Sequence, residues 1–156
     1  MPYQKKIEIS IHSYTNTILS VKLKRKRLVI CLEDRLYIHS LEDDLSVKWV
    51  IRNIPPNPSG LFALSVLEDR CYIAYPATQR SGEVLIFDAT QLKNKILIPA
   101  HDNPLASLSF NQQSTMLASA SEKETVIRVH KMLTMANVYT NFVVVTHEVW
   151  TSIHCL

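Results

Sequence analysis

Glycine is nearly missing from this chain: only Gly60 and Gly82 occur in 156 residues. That excludes a glycine-rich phosphate loop and leaves few residues that take a left-handed backbone without cost. Cysteine is scarce as well. Cys31, Cys71 and Cys155 are odd in number, far apart and in no CxxC pair, so neither a disulfide framework nor a zinc site is expected and a reducing compartment is the simpler reading. Cys155 also sits too near the end for a four-residue prenylation box. No run of about 18 apolar residues is present, and the N-terminal MPYQKKIEIS lacks an apolar stretch of signal-peptide type. Charge of one sign is not massed: 17 basic residues face 14 acidic ones, for a net charge of +3, which argues against a nucleic-acid partner. The histidines, His12, His39, His101, His130, His147 and His154, show no metalloenzyme spacing, and Asp88 has no second carboxylate placed for acid-base work. An enzyme and a bound cofactor are not expected.

What the chain does have is apolar content, 47%, enough to bury the core of one ordinary domain. It also has an internal repeat. Segments beginning at Asn16, Ser59 and Asn103 share one order of features, with starts about 40 to 45 residues apart, the period of a four-stranded propeller blade. In each, a short apolar strand (SVKL, ALSV, SLSF) is followed by a turn and a second strand (LVICL, CYIAY, MLASA), then by a third (LYIHSL, EVLIFDA, TVIRVHK). The intervening SVKWVIRN and NKILIPAHD are read as outermost fourth strands. Pro55, Pro56 and Pro58 make IPPNPSG a stiff connector, because proline cannot donate to a ladder. The predicted fold is all-β: an incomplete propeller over residues 1–131, with blades near 14–54, 55–98 and 99–131, arranged as an open arc because rings need four to eight blades. Residues 132–156 leave the repeat and form a divergent tail, in which NFVVVTHEVW can still make a strand.

The combination IPPNPSGLFALS, CYIAYP…SGEVLIFDA, IPAHDNPLASLSF and LASASEKETVIRV resembles the PROPPIN family, WD-repeat proteins that interact with phosphoinositides in autophagy. The likeness runs over roughly residues 14–130. It implies part of a seven-bladed propeller, roughly its second to fourth blades. It further implies binding of phosphatidylinositol 3-phosphate and 3,5-bisphosphate at two rim pockets, shared by the arginine pair of a Phe-Arg-Arg-Gly motif. Carried over by position, His101, Ser119, Ser121, Thr125 and Arg128 line the first pocket, where hydroxyls and a guanidinium suit a phosphate. The bland reading stands beside it: these serines and Thr125 fit ordinary blade strands, and His101 fits a buried bridge between strands.

The chain departs from the family at two places. Glu124 stands where the family has glycine before the threonine, and TNFVVV, around Asn141 and Phe142, stands where the arginine pair should fall. Half of the first pocket and all of the second are then absent. Alternative splicing, a frameshift or a wrong gene model would each produce such a divergent end. Lys24, Arg25, Lys26 and Arg27 form the one dense basic run. It is either a solvated turn, neutralised by Glu42, Asp43 and Asp44, or, by the resemblance, a hold for acidic segments of autophagy proteins. The expected function is a phosphoinositide-binding autophagy scaffold with impaired lipid binding, cytoplasmic and recruited peripherally to autophagic or endosomal membranes. The alternative is a protein-interaction module that binds no lipid.

Overall fold

The computed structural model describes residues 10–65, 67, 70–123 and 126–132, together with the backbone of 138–144. Among them are twelve strands and no helix. The strands form three antiparallel four-stranded sheets. The first contains β1 (Ser20–Leu23), β2 (Arg27–Cys31), β3 (Leu36–Ser40) and β4 (Val47–Ile51) in chain order. β5 (Ala63–Leu64), β6 (Tyr72–Pro76), β7 (Gly82–Asp88) and β8 (Lys93–His101) make the second. β9 (Leu105–Phe110), β10 (Met116–Ser121), β11 (Val126–Met132) and β12 (Val138–Val144) make the third. The inter-repeat stretches do supply the outermost strands β4 and β8, and within the tail the backbone of β12 pairs along the whole of β11.

Side-chain alternation explains how the sheets stack. Cys71, just before β6, and Ile73 and Tyr75 on it look back to the first sheet, where they share a core with Val29, Cys31, Leu36, Ile38 and Ile51. Tyr72 and Ala74, on the opposite face, share a second core with Leu105, Leu108 and Leu117 of the third sheet. The central sheet is therefore apolar on both faces, and the cores run through an open series of three sheets.

Scarcity of glycine is met in two ways. Asp44, Leu45, Asn53, Leu92 and Ser114 take positive φ values of 48 to 60° without being glycine; Asp and Asn tolerate this best. The two glycines stand where a side chain has no room. Gly60 has φ +63°, and a Cβ there would lie 2.7 Å from the Cβ of Leu19. At Gly82 a Cβ would lie 2.4 Å from the Cβ of His101 and 2.6 Å from the carbonyl oxygen of Asn103.

The proline connector is braced by a buried asparagine. Asn57 Nδ2 donates to the Leu61 carbonyl at 2.9 Å, its Oδ1 accepts from Leu61 N–H at 3.0 Å, and its own N–H donates to the Glu33 carbonyl at 2.8 Å. The first sheet is thereby tied to the start of the second through backbone groups that proline cannot satisfy.

Candidate functional site

His101 ends β8, directly opposite Gly82, and its position depends on that glycine's missing side chain. Ser119 lies mid-way along β10, with Leu108 and Arg128 as its partners on the two flanking strands. His101 Nε2 and Ser119 Oγ are 3.0 Å apart, and the same hydroxyl lies 2.9 Å from His130 Nε2. All three side chains are buried. The Ser119 hydroxyl, which also lies 3.4 Å from the Arg128 carbonyl oxygen, has one proton and two lone pairs, so it accepts from at least one of the two imidazoles. The result is a polar chain across β8, β10 and β11 inside an otherwise apolar interface.

His130 is the member that sequence reasoning missed. Its signal was present: it follows Arg128 by two residues and so shares that residue's face of β11. Burial, then the neighbouring His101 and Arg128, push its pKa down to about 4, so the imidazole is neutral at physiological pH. The half-buried Arg128 donates from its guanidinium to the carbonyl of Ala100, one residue before His101. His101, Ser119 and Arg128 are thus gathered at one place. Ser121 is buried at the end of β10, past a bulge that follows Ala120. Thr125 lies outside the described residues, as does Glu124.

The basic run forms the β1–β2 turn, closed by Lys24 N–H to the Arg27 carbonyl at 2.8 Å. Lys24 Nζ donates to the carbonyl of Leu67 in the second repeat, and Lys26 pairs with Glu42 at 3.0 Å. Asp43 instead meets Lys48 at 2.5 Å, which lowers its carboxyl pKa. A larger feature went unread in the sequence. A groove of about 610 Å³ runs along β4 from Val47 to Arg52 and is closed on its other side by Phe87, Leu92, Lys93 and Asn94. Trp49 is 44% exposed there, and Lys48, Arg52 and Lys93 bring positive charge to it. Only tertiary structure joins β4 to the β7–β8 turn.

Asp88 is a turn residue. Its Oδ1 accepts from the N–H groups of Thr90 and Gln91, both at 2.9 Å, an Asx turn that starts the β7–β8 connection. Among the described residues, no helix is long and apolar enough to cross a membrane.

The chain is similar in sequence to curated proteins. It is 54% identical over 127 residues to WD repeat domain phosphoinositide-interacting protein 2 of Gallus gallus, covering 81% of this chain and 29% of that protein. To autophagy-related protein 18 of Aspergillus clavatus it is 40% identical over 139 residues, covering 75% of this chain and 33% of the relative. It therefore spans about a third or less of the length of these relatives. Two solved structures share the fold. Hsv2 of Kluyvelomyces marxianus superposes with a TM-score of 0.65 at 23% identity, over 81% of this chain and 38% of that one. A complex of KlAtg21 with the coiled-coil of AgAtg16 gives a TM-score of 0.68 at 19% identity, over 81% of this chain and 42% of that one. The open series of three four-stranded sheets is part of a WD-repeat propeller. A family model described as PROPPIN matches residues 1–150, so the chain belongs to the PROPPIN family.

Proposed function

We propose that this chain is a phosphoinositide-binding scaffold of autophagy whose lipid binding is impaired, acting peripherally at membranes. One observation carries the impairment: β11 and β12 pair Arg128 with Phe142 and Val129 with Asn141. The strand beside the candidate cation thus presents Asn and Phe where the family resemblance implies two arginines. In this reading Arg128 supplies the remaining charge, Ser121 and Thr125 supply hydroxyls, and His101 and Ser119 hold the strands that carry them.

The groove along β4 favours a second role, as a docking site for an acidic segment of a partner protein. Lys24 and Lys26 are engaged with their own chain, whereas Arg52 and Lys93 are exposed beside an aromatic wall. A solved relative in complex with a coiled coil is consistent with partner binding by this fold.

Vesicle flotation separates the two readings. With phosphatidylinositol 3-phosphate against an ordinary anionic lipid at matched charge, weak headgroup-selective recovery is expected for the native sequence, and Arg128→Ala abolishes the selective part, a loss of about ten- to a hundredfold. Tight selective binding that survives Arg128→Ala would overturn the site and the impairment. Recovery that is equal on both lipids and vanishes with salt, alongside retained binding of an acidic coiled-coil peptide, favours the partner module alone.

A further inference from the structure

We infer that the site around Arg128 is proton-linked: a phosphate monoester seated there brings a proton onto His130, so that acid strengthens anion binding. The inference rests on the lipid-site reading above and adds its regulation. Three observations place His130 in the site. Its Nε2 lies 2.9 Å from Ser119 Oγ, and that oxygen lies 3.0 Å from His101 Nε2. It follows Arg128 by two residues on β11 and so stands on the same face of the strand. The Arg128 guanidinium in turn donates to the carbonyl of Ala100, beside His101. Two imidazoles and a guanidinium, from β8 and β11, thus meet through one serine in the seam between the second and third sheets. A guanidinium carries five N–H donors, so it can hold an anion while it donates to a carbonyl.

The charges around His130 are of one sign. His101 and Arg128 both oppose a second cation there, as burial does. Lys131, the next residue on β11, is exposed on the opposite face. β9 and β10 carry no charged residue in LASLSF and MLASAS, and neither does the sequence of β12, VYTNFVV. On the second sheet Asp88 is 3.9 Å from Lys95, which also donates to the Tyr72 hydroxyl, so that carboxylate has its own cation. Asp102, after His101, and Glu122 and Lys123, after Ser121, are exposed. A negative charge is what this cluster lacks among the described residues. A phosphate monoester supplies about −1.5 to −2 at neutral pH, which offsets Arg128 and lowers the cost of a cation at His130. Linkage makes the effect reciprocal: whatever the anion does for the proton, the proton does for the anion.

Magnetic resonance of the histidine ring protons in the native chain tests this, with inositol 1,3-bisphosphate and inorganic phosphate as probes. Without a probe, one ring should stay neutral down to pH 5. With the headgroup at saturation, its titration should move up toward the ordinary histidine range, and His130→Gln should remove that signal. Headgroup affinity should rise about tenfold more from pH 7 to pH 5 in the native chain than in His130→Gln, a comparison that cancels the phosphate's own titration near pH 6. Should His130→Gln unfold, His130→Phe takes its place, and the native ring titration decides by itself if both do. A shift with the headgroup alone assigns the linkage to the lipid, and an equal shift with inorganic phosphate assigns it to phosphate in general; both support it. If a probe binds and no ring moves, or native and variant share one pH profile, the inference is overturned and the lipid reading stands. A folded native chain that binds neither probe at pH 5 or pH 7 would overturn both.

Discussion

At the scale of the residue, the buried imidazole of His130 makes the stability of this protein depend on acid. His130 titrates near 4 when folded and near 6.5 when unfolded. Between these values the unfolded chain binds the extra proton, so stability is at its full value above pH 6.5 and falls as pH drops toward 4. Its share of the loss is about 2 kcal/mol between pH 7 and pH 5. Urea unfolding at those two pH values reads this directly, and His130→Gln should flatten the difference. An equal pH slope in the variant would show that other groups carry it. The charge on Arg128 works in the same direction as burial, since both disfavour a second cation beside it.

The elements hold because a few positions let backbones approach. The β7–β8 hairpin depends on Gly82, where an added Cβ meets both a side chain and a carbonyl oxygen well inside contact distance. Gly82→Ala should therefore cost about 2–3 kcal/mol by overpacking, seen as a fall in melting temperature of about 5–10 °C. It should also lengthen the contact between His101 and Ser119, because Gly82 and His101 face each other across the hairpin. A variant melting within about 1–2 °C of the native chain, a difference worth only about half a kcal/mol, would mean that the strands slide apart without cost. The turns that lack glycine are anchored instead by Asx hydrogen bonds, as at Asp88, or by a positive φ accepted at Leu45 and Leu92.

Across the whole molecule, the central sheet belongs to both cores and so couples the outer two. Ile73 is fully buried against the first sheet, and Ile73→Ala should cost about 2–5 kcal/mol. Leu97 is 53% exposed on β8, and Leu97→Ala should change stability by no more than about 0.5 kcal/mol. Denaturant midpoints of the two variants test the assignment, and comparable losses would contradict it. Coupling through one sheet also predicts that Ile73→Ala destabilises the third sheet, although no atom of Ile73 lies in the core shared with it.

Strand identity and order were legible without coordinates, because alternation and the spacing of turns are local properties of the chain. SVKL became β1 residue for residue, and the stretches around Trp49 and Ile96 became the outer strands β4 and β8. The proline connector was legible too, but its brace was not: Asn57 gains its role only when Glu33 and Leu61 are brought to it. The polar chain from His101 through Ser119 to His130 joins three strands, and no spacing in one dimension reveals a hydroxyl shared by two imidazoles. Likewise the charged groove needed β4 and the β7–β8 turn to meet across separate repeats. Alternation assigns each side chain to a face of its own sheet; which face meets another sheet, and which is left open, is decided only when the sheets stack and apolar burial selects among them.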